Sequence, residues 1–171
     1  ALEQRLVTKN PTQGCALPKV EHKEMKTLTA DQLSAFFREA RDSGVYELYY
    51  LDLATGLRRG ELCALQWRDI TGACELTVRR SRSCASGQIV ESDTKSHRER
   101  IVTIPLGIWE LLMALRQQQV LHSGVPDREQ PIFTDPDGHV PHPDTFTRHL
   151  RKLYKQCGLS EDYHLHTLRD F

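Results

Sequence analysis

The sequence predicts an α+β domain, mainly α with a small antiparallel three-stranded β-sheet. Apolar residues recur at helical spacing up to about residue 67 and again after residue 105. Between those blocks the period changes to the alternation expected of strands. The length sets the scale, because 171 residues are enough for one domain with a real core.

Residues 1–27 hold Asn10-Pro11-Thr12-Gln13-Gly14 and Leu17-Pro18-Lys19 without sustained periodicity, and they read as a linker entering a domain of residues 28–171. A helix should start at Thr29. Thr29 and Gln32 form a capping-box pair, and Leu28 and Leu33 suit a hydrophobic staple. Leu33, Phe36, Phe37 and Ala40 then follow at i, i+3, i+4 and i+7, and Gly44 suits the stop. A second apolar segment runs from Val45 to Ala54 and ends at Gly56. A third, about Arg59 to Trp67, carries Leu62, Leu65 and the small Ala64.

Three strands are then predicted, at Glu75–Arg79, Gln88–Glu91 and Ile101–Ile104, joined by turns at Ser86-Gly87 and 94–97. From Pro105 a helix carries Ile108, Leu111, Leu112 and Leu115 and finishes by Gly124. Residues 126–143 are loop-rich, with a Pro-Asp-Gly turn at 136–138. A further helix places Phe146, Leu150, Leu153 and Cys157 on one face and stops at Gly158, and one more is expected from about Leu165. There is no internal repeat and no low-complexity tract.

Composition excludes several classes. Charged residues make up 27% and apolar residues 39%, values of a globular chain. No run of about 18 apolar residues exists to span a bilayer, and the first residues lack the apolar core of a signal peptide. The five cysteines are scattered with no Cys-x-x-Cys pair, which argues against disulfide scaffolds and zinc ribbons and for reduced thiols in a cytoplasm. His139 and His142 flank a proline in a loop without nearby cysteine and are not read as metal ligands. The 23 basic and 23 acidic residues balance, so no polyanion-binding excess exists overall. Residues 79–100 are the local exception, with six Lys/Arg against three acids.

Three short segments carry chemistry. Thr55-Gly56-Leu57-Arg58-Arg59-Gly60-Glu61-Leu62 places Arg58 between a helix-closing glycine and the next helix. Thr94-Lys95-Ser96 places Lys95 in a turn ahead of a strand ending Ile104-Pro105. His166-Thr167-Leu168-Arg169 places His166 and Arg169 one helical turn apart. In this order the pieces resemble the catalytic series of the tyrosine recombinases, the phage-integrase family. Any single piece is common; the ordered set is specific, and it spans nearly the whole chain.

The resemblance implies a tyrosine-recombinase catalytic domain that breaks and rejoins DNA through a 3′-phosphotyrosyl intermediate in site-specific recombination, as in integration or excision of a phage or mobile element. Arg58 and Arg169 would then stabilise the five-coordinate phosphorus, since a guanidinium is always charged and its planar fork fits two phosphate oxygens. Lys95 would protonate the departing 5′-hydroxyl, with Arg98 or Arg100 as alternatives for that role, and His166 would donate to the phosphate or shuttle a proton. Glu61, three residues after Arg58, would hold its guanidinium. Arg79, Arg80, Arg82 and Arg98 are candidates for contacts to the DNA backbone, which position rather than specify; a solvated strand face is their alternative reading. The chemistry calls for no metal and no cofactor, and the chain has no Gly-x-x-x-x-Gly-Lys loop for ATP.

The partners implied are double-stranded DNA, further protomers in a synaptic assembly and a DNA-bending accessory protein, with no membrane. The setting is a bacterial cytoplasm, at the nucleoid. Tyr154 and Tyr163 both precede His166, so the resemblance places the nucleophilic tyrosine beyond Phe171. The 171 residues by themselves are therefore expected not to cleave DNA. Two alternatives remain: relaxation in the manner of a type IB topoisomerase, and a non-catalytic DNA-binding module of the same fold.

Overall fold

The computed structural model describes residues 7–10, 12–16, 27–85, 87–93, 99–123, 128–135, 138–160 and 163. The first helix, α1 (Ala30–Asp42), starts as its sequence dictates. The Gln32 amide donates to the Thr29 hydroxyl at 3.3 Å, and the Gln32 side chain accepts from the Thr29 amide at 2.9 Å. Gly44 follows it at φ 70°.

The second helix, α2 (Tyr46–Thr55), is buried along much of its length, with Leu48, Tyr49, Leu51 and Asp52 all inside. A helix apolar on most sides belongs in the centre of a fold, and α2 packs against α1 and against α4 (Leu106–Ser123). The helix α5 (Pro143–Gln156) is strongly amphipathic and buries Phe146, Leu150, Leu153 and Tyr154. Phe36, Tyr49 and Tyr154 meet at ring-centroid distances of 5.6 and 5.4 Å. The Tyr49 hydroxyl donates to the Phe146 carbonyl at 2.7 Å, tying α2 to α5 through a buried hydrogen bond.

Among the described residues between α2 and α4 lie a six-residue helix, α3 (Arg59–Ala64), a single 3-10 turn (Trp67–Asp69) and five strands. The strands are β1 (Ile70–Gly72), β2 (Glu75–Val78), β3 (Arg80–Ala85), β4 (Gln88–Asp93) and β5 (Arg100–Thr103). An antiparallel three-stranded sheet is present in the order β1-β2-β5, with Leu76 opposite Val102 and Val78 opposite Arg100.

Its membership corrects the sequence reading. The 88–91 segment is not part of that sheet; it pairs with β3 as a separate two-stranded hairpin, Arg82 opposite Glu91. The third strand of the sheet is instead β1. It escaped notice because it is three residues long and turns into β2 through Ala73-Cys74 rather than through an Asn-Gly-type pair. Cys74 takes the left-handed conformation, φ 60°, which few non-glycine residues do.

Trp67 is buried in the 3-10 turn that contacts β2, and its indole donates to the Gln119 side chain of α4 at 2.8 Å. The 128–135 segment lies against residues 65–68, with the Ile132 amide donating to the Leu65 carbonyl at 3.0 Å. No helix among the described residues is long and apolar enough to cross a membrane. The helix expected from Leu165 lies outside the described residues.

Candidate active site

The placement of Arg58 follows from the two residues before it. Gly56 closes α2 in the left-handed conformation, φ 58°, with its amide donating to the Asp52 carbonyl at 2.8 Å. The chain reverses there and buries the next side chain, Leu57, completely. Arg58 is extended, φ −70° and ψ 148°. Successive side chains of extended backbone point in opposite directions, so burying Leu57 sends Arg58 outward. Its side chain is 59% exposed.

Glu61 holds it there. This residue sits one turn into α3 and is only 1% exposed. Its Oε2 accepts from the Arg58 backbone amide at 2.8 Å, the reaching-back half of a capping box. Its Oε1 accepts from Arg58 Nη1 at 3.2 Å. A second arginine converges on the same carboxylate: Arg100 Nη1 and Nη2 donate to Oε1 and Oε2 at 2.9 and 2.6 Å, a two-pronged fork. Burial pushes the Glu61 carboxyl up, but hydrogen bonds from Arg100 and from the Arg58 amide outweigh it and hold the group below the usual carboxylate range. The same hydrogen bonding raises Arg100 above its ordinary value.

Two further features fix α3. A Cβ on Gly60 would run into the Ser81 hydroxyl and stand 2.7 Å from the Arg82 carbonyl oxygen, so the helix lies directly on the β3 backbone. On the other side, Arg59 Nη1 donates to Asp144 at 3.1 Å and to Thr147 at 3.0 Å, joining α3 to α5.

The arginines near the hairpin are engaged by acids. Arg80 Nη2 donates to the buried Asp69 at 2.7 Å, and Arg82 Nε donates to Glu91 at 2.6 Å. Their side chains are only 14% and 15% exposed. Arg79 lies 3.5 Å from Asp69 and 3.3 Å from Glu99 and is 38% exposed, the most open of the three. Lys95, Arg98, His166 and Arg169 lie outside the described residues, so the structure brings together Arg58 and Glu61 of the predicted catalytic set. The sequence offers Arg100 only as an alternative to Lys95, and the structure instead places it on Glu61. One signal was present: Arg100 shares a strand face with Val102 and Ile104, the covered face, where an arginine needs a buried carboxylate.

A separate concavity of about 440 Å³, lined largely by apolar side chains including Val45, Leu48, Leu115, Phe133 and Phe146, contains none of the predicted site residues.

Residues 22–171 match the model of the phage integrase family. The tyrosine recombinase XerC of Xylella fastidiosa (strain 9a5c) is 28% identical over 167 residues, covering 94% of this chain and 50% of the relative. The ICEBs1 integrase of Bacillus subtilis (strain 168) is 28% identical over 123 residues, covering 70% of this chain and 33% of the relative. The chain thus spans about half the length, or less, of these curated relatives.

Among solved structures, the Tn1549 transposon integrase in complex with transposon right end DNA superposes with a TM-score of 0.77 at 17% identity, over 99% of this chain and 59% of that one. A lambda integrase tetramer bound to a Holliday junction gives 0.68 at 21% identity, over 99% of this chain and 47% of that one. These likenesses show a shared fold. With the family model covering most of the sequence, the chain belongs to the phage integrase family, the tyrosine recombinases.

Proposed function

We propose that this chain supplies the phosphate-activating machinery of a site-specific tyrosine recombinase that cuts and rejoins duplex DNA to move a phage or mobile element. The observation that carries the reading is Arg58: a solvent-facing guanidinium, anchored from behind by a buried carboxylate, and the residue that the sequence resemblance matches to the family's first arginine. A donor fixed in advance stabilises charge as it develops without reorganising during the reaction.

In this reading Arg58 and Arg169 neutralise the non-bridging oxygens as a tyrosine attacks the phosphorus. The tyrosine loses its hydroxyl proton as its bond to phosphorus forms, the bond to the 5′-oxygen breaks, and Lys95 gives that oxygen a proton. His166 hydrogen-bonds the phosphate or relays a proton. Glu61 orients Arg58. The phosphotyrosyl link conserves the energy of the broken bond, so a 5′-hydroxyl can rejoin the strand without ATP. Arg79, the most open of the described hairpin-region arginines, and Arg98 contact DNA phosphates, while Arg80 and Arg82 act through the hairpin they hold in shape. The partners are duplex DNA, further protomers in a synaptic assembly and a DNA-bending protein, at the bacterial nucleoid.

The test uses the full-length gene product containing these residues and a duplex of the element's own end, nicked beside the cleavage position so that the short 5′-hydroxyl strand diffuses away. Wild type should accumulate covalent protein–DNA complex, and Arg58→Ala should slow it by about 10²–10³. Trapping by Arg58→Ala at the wild-type rate overturns the assignment.

A further inference from the structure

Arg58 and Arg100 share one carboxylate, and the sharing is unequal. Arg100 closes a fork on both oxygens of Glu61, at 2.9 and 2.6 Å. Arg58 has its backbone amide and one longer side-chain contact, at 2.8 and 3.2 Å. A carboxylate offers about four lone-pair sites, so these four hydrogen bonds saturate it. Arg58 therefore cannot close its own fork on Glu61, and its remaining N–H groups stay with the exposed part of the side chain. Removing Arg100 would release both oxygens beside an arginine three positions away on the same turn. The two-pronged pair is the favoured geometry for an arginine and a carboxylate. Arg58 would turn inward and be neutralised.

We propose that Arg100 is a positioning residue for DNA cleavage, which keeps Arg58 free for the scissile phosphate by occupying the carboxylate that would otherwise capture it. The inference rests on the reading that Arg58 engages that phosphate. It also gives a buried glutamate beside a phosphate site a reason to be paired twice: the carboxylate is spent on Arg100, which leaves Arg58 held by its backbone but still charged toward solvent.

The experiment measures single-turnover trapping of the nicked duplex by the full-length protein, with DNA affinity measured separately. Arg100→Gln should slow trapping at saturating DNA by about 10- to 100-fold, while the dissociation constant stays within about twofold. The double variant Arg100→Gln/Glu61→Gln should regain about tenfold of that loss, because a neutral amide still accepts from the Arg58 backbone but no longer captures its side chain. Glu61→Gln also removes the buried charge that Arg100→Gln leaves unpaired, so the rescue is read as trapping rate per folded protein, with melting temperatures measured on the same preparations. Arg100→Lys, which keeps the charge but makes one point contact, should fall between wild type and Arg100→Gln; it decides the matter if Arg100→Gln lowers the melting temperature severely.

Wild-type rates for Arg100→Gln or for Arg100→Lys, or a double variant no faster than the single, overturn the proposal. So does a loss confined to affinity, which would make Arg100 a DNA contact. If Arg58→Ala traps DNA normally, the underlying reading fails; if Arg58→Ala is inactive and Arg100→Gln is fully active, only the positioning role fails.

Discussion

Substituting Gly60 by alanine should damage the site through the backbone alone. The added Cβ would stand 2.7 Å from the Arg82 carbonyl oxygen, where ordinary contact begins at 3.4 Å, so α3 and β3 must part by about 0.7 Å. α3 has little room to yield. Leu62, Cys63 and Ala64 are buried behind it, and Arg59 is tied to Asp144 and Thr147 of α5. Overpacking of this kind costs about 1–3 kcal/mol, and the gain from replacing a helical glycine by alanine returns at most about 1 kcal/mol. A full offset leaves a net loss of up to about 2 kcal/mol, which lowers the melting temperature of a domain this size by up to about 8 °C. The functional loss should be larger in proportion. Arg58 immediately precedes α3, and on its proposed role a displacement approaching 1 Å lowers the rate by about tenfold or more. Thermal unfolding and single-turnover trapping of the nicked duplex read the two effects on the same preparation. An unchanged melting temperature together with an unchanged rate would show that α3 does not need its close seat on β3.

Other consequences are more local. Because Glu61 titrates lower in the folded chain than its ordinary value of about 4.3, its contribution to stability is full above that pH and is lost as the pH falls through the folded value. The stability gap between wild type and Glu61→Gln should therefore narrow below about pH 4.3 in urea titrations, and a gap constant down to about pH 3 refutes it. Burial pushes the Cys63 thiol up to about 12, whereas Cys84 is exposed. Iodoacetamide at about pH 8 should thus modify Cys84 in the native protein and leave Cys63 intact by mass spectrometry. Tyr49→Phe removes the buried hydrogen bond to the Phe146 carbonyl and should cost about 1–1.5 kcal/mol in denaturant unfolding; a negligible loss would mean that α2 and α5 are joined by packing alone.

The parts of this fold that were legible in the sequence are those whose causes are local. Thr29 and Gln32 are three residues apart, and they cap α1 as a pair. Gly44, Gly56 and Gly158 each take a positive φ just past a helix, where the pattern puts the stop. Arg58 and Glu61 are likewise neighbours on one turn. The sheet was harder. β3 reads Arg-Ser-Arg-Ser-Cys-Ala, with no apolar alternation, because the groups that seat it are arginines paired with Asp69 and Glu91. Arg100 and Glu61 are 39 residues apart, and their meeting depends on β5 pairing with β2 and α3 lying on β3. No spacing rule carries that information. Long-range pairs of this kind emerge only when the whole chain is assembled.

The balance of 23 basic and 23 acidic residues hides a division that the structure makes visible. Among the described residues around the hairpin, Arg79, Arg80 and Arg82 are met by Asp69, Glu91 and Glu99, so these three arginines are close to neutral as a unit. At α3, two arginines share the single carboxylate of Glu61, which leaves one unit of positive charge over. That surplus is borne by the more exposed member, Arg58. An anion approaching these described arginines therefore meets a fixed charge at the three-residue cluster and a largely compensated one at Arg79, Arg80 and Arg82. Attraction between unit charges near a protein surface amounts to about 4 kcal/mol at 4 Å, enough to favour one cluster over the other. The number of arginines in a segment is thus a poor guide to where a phosphate binds. What decides is how many of their charges the protein's own acids have already taken.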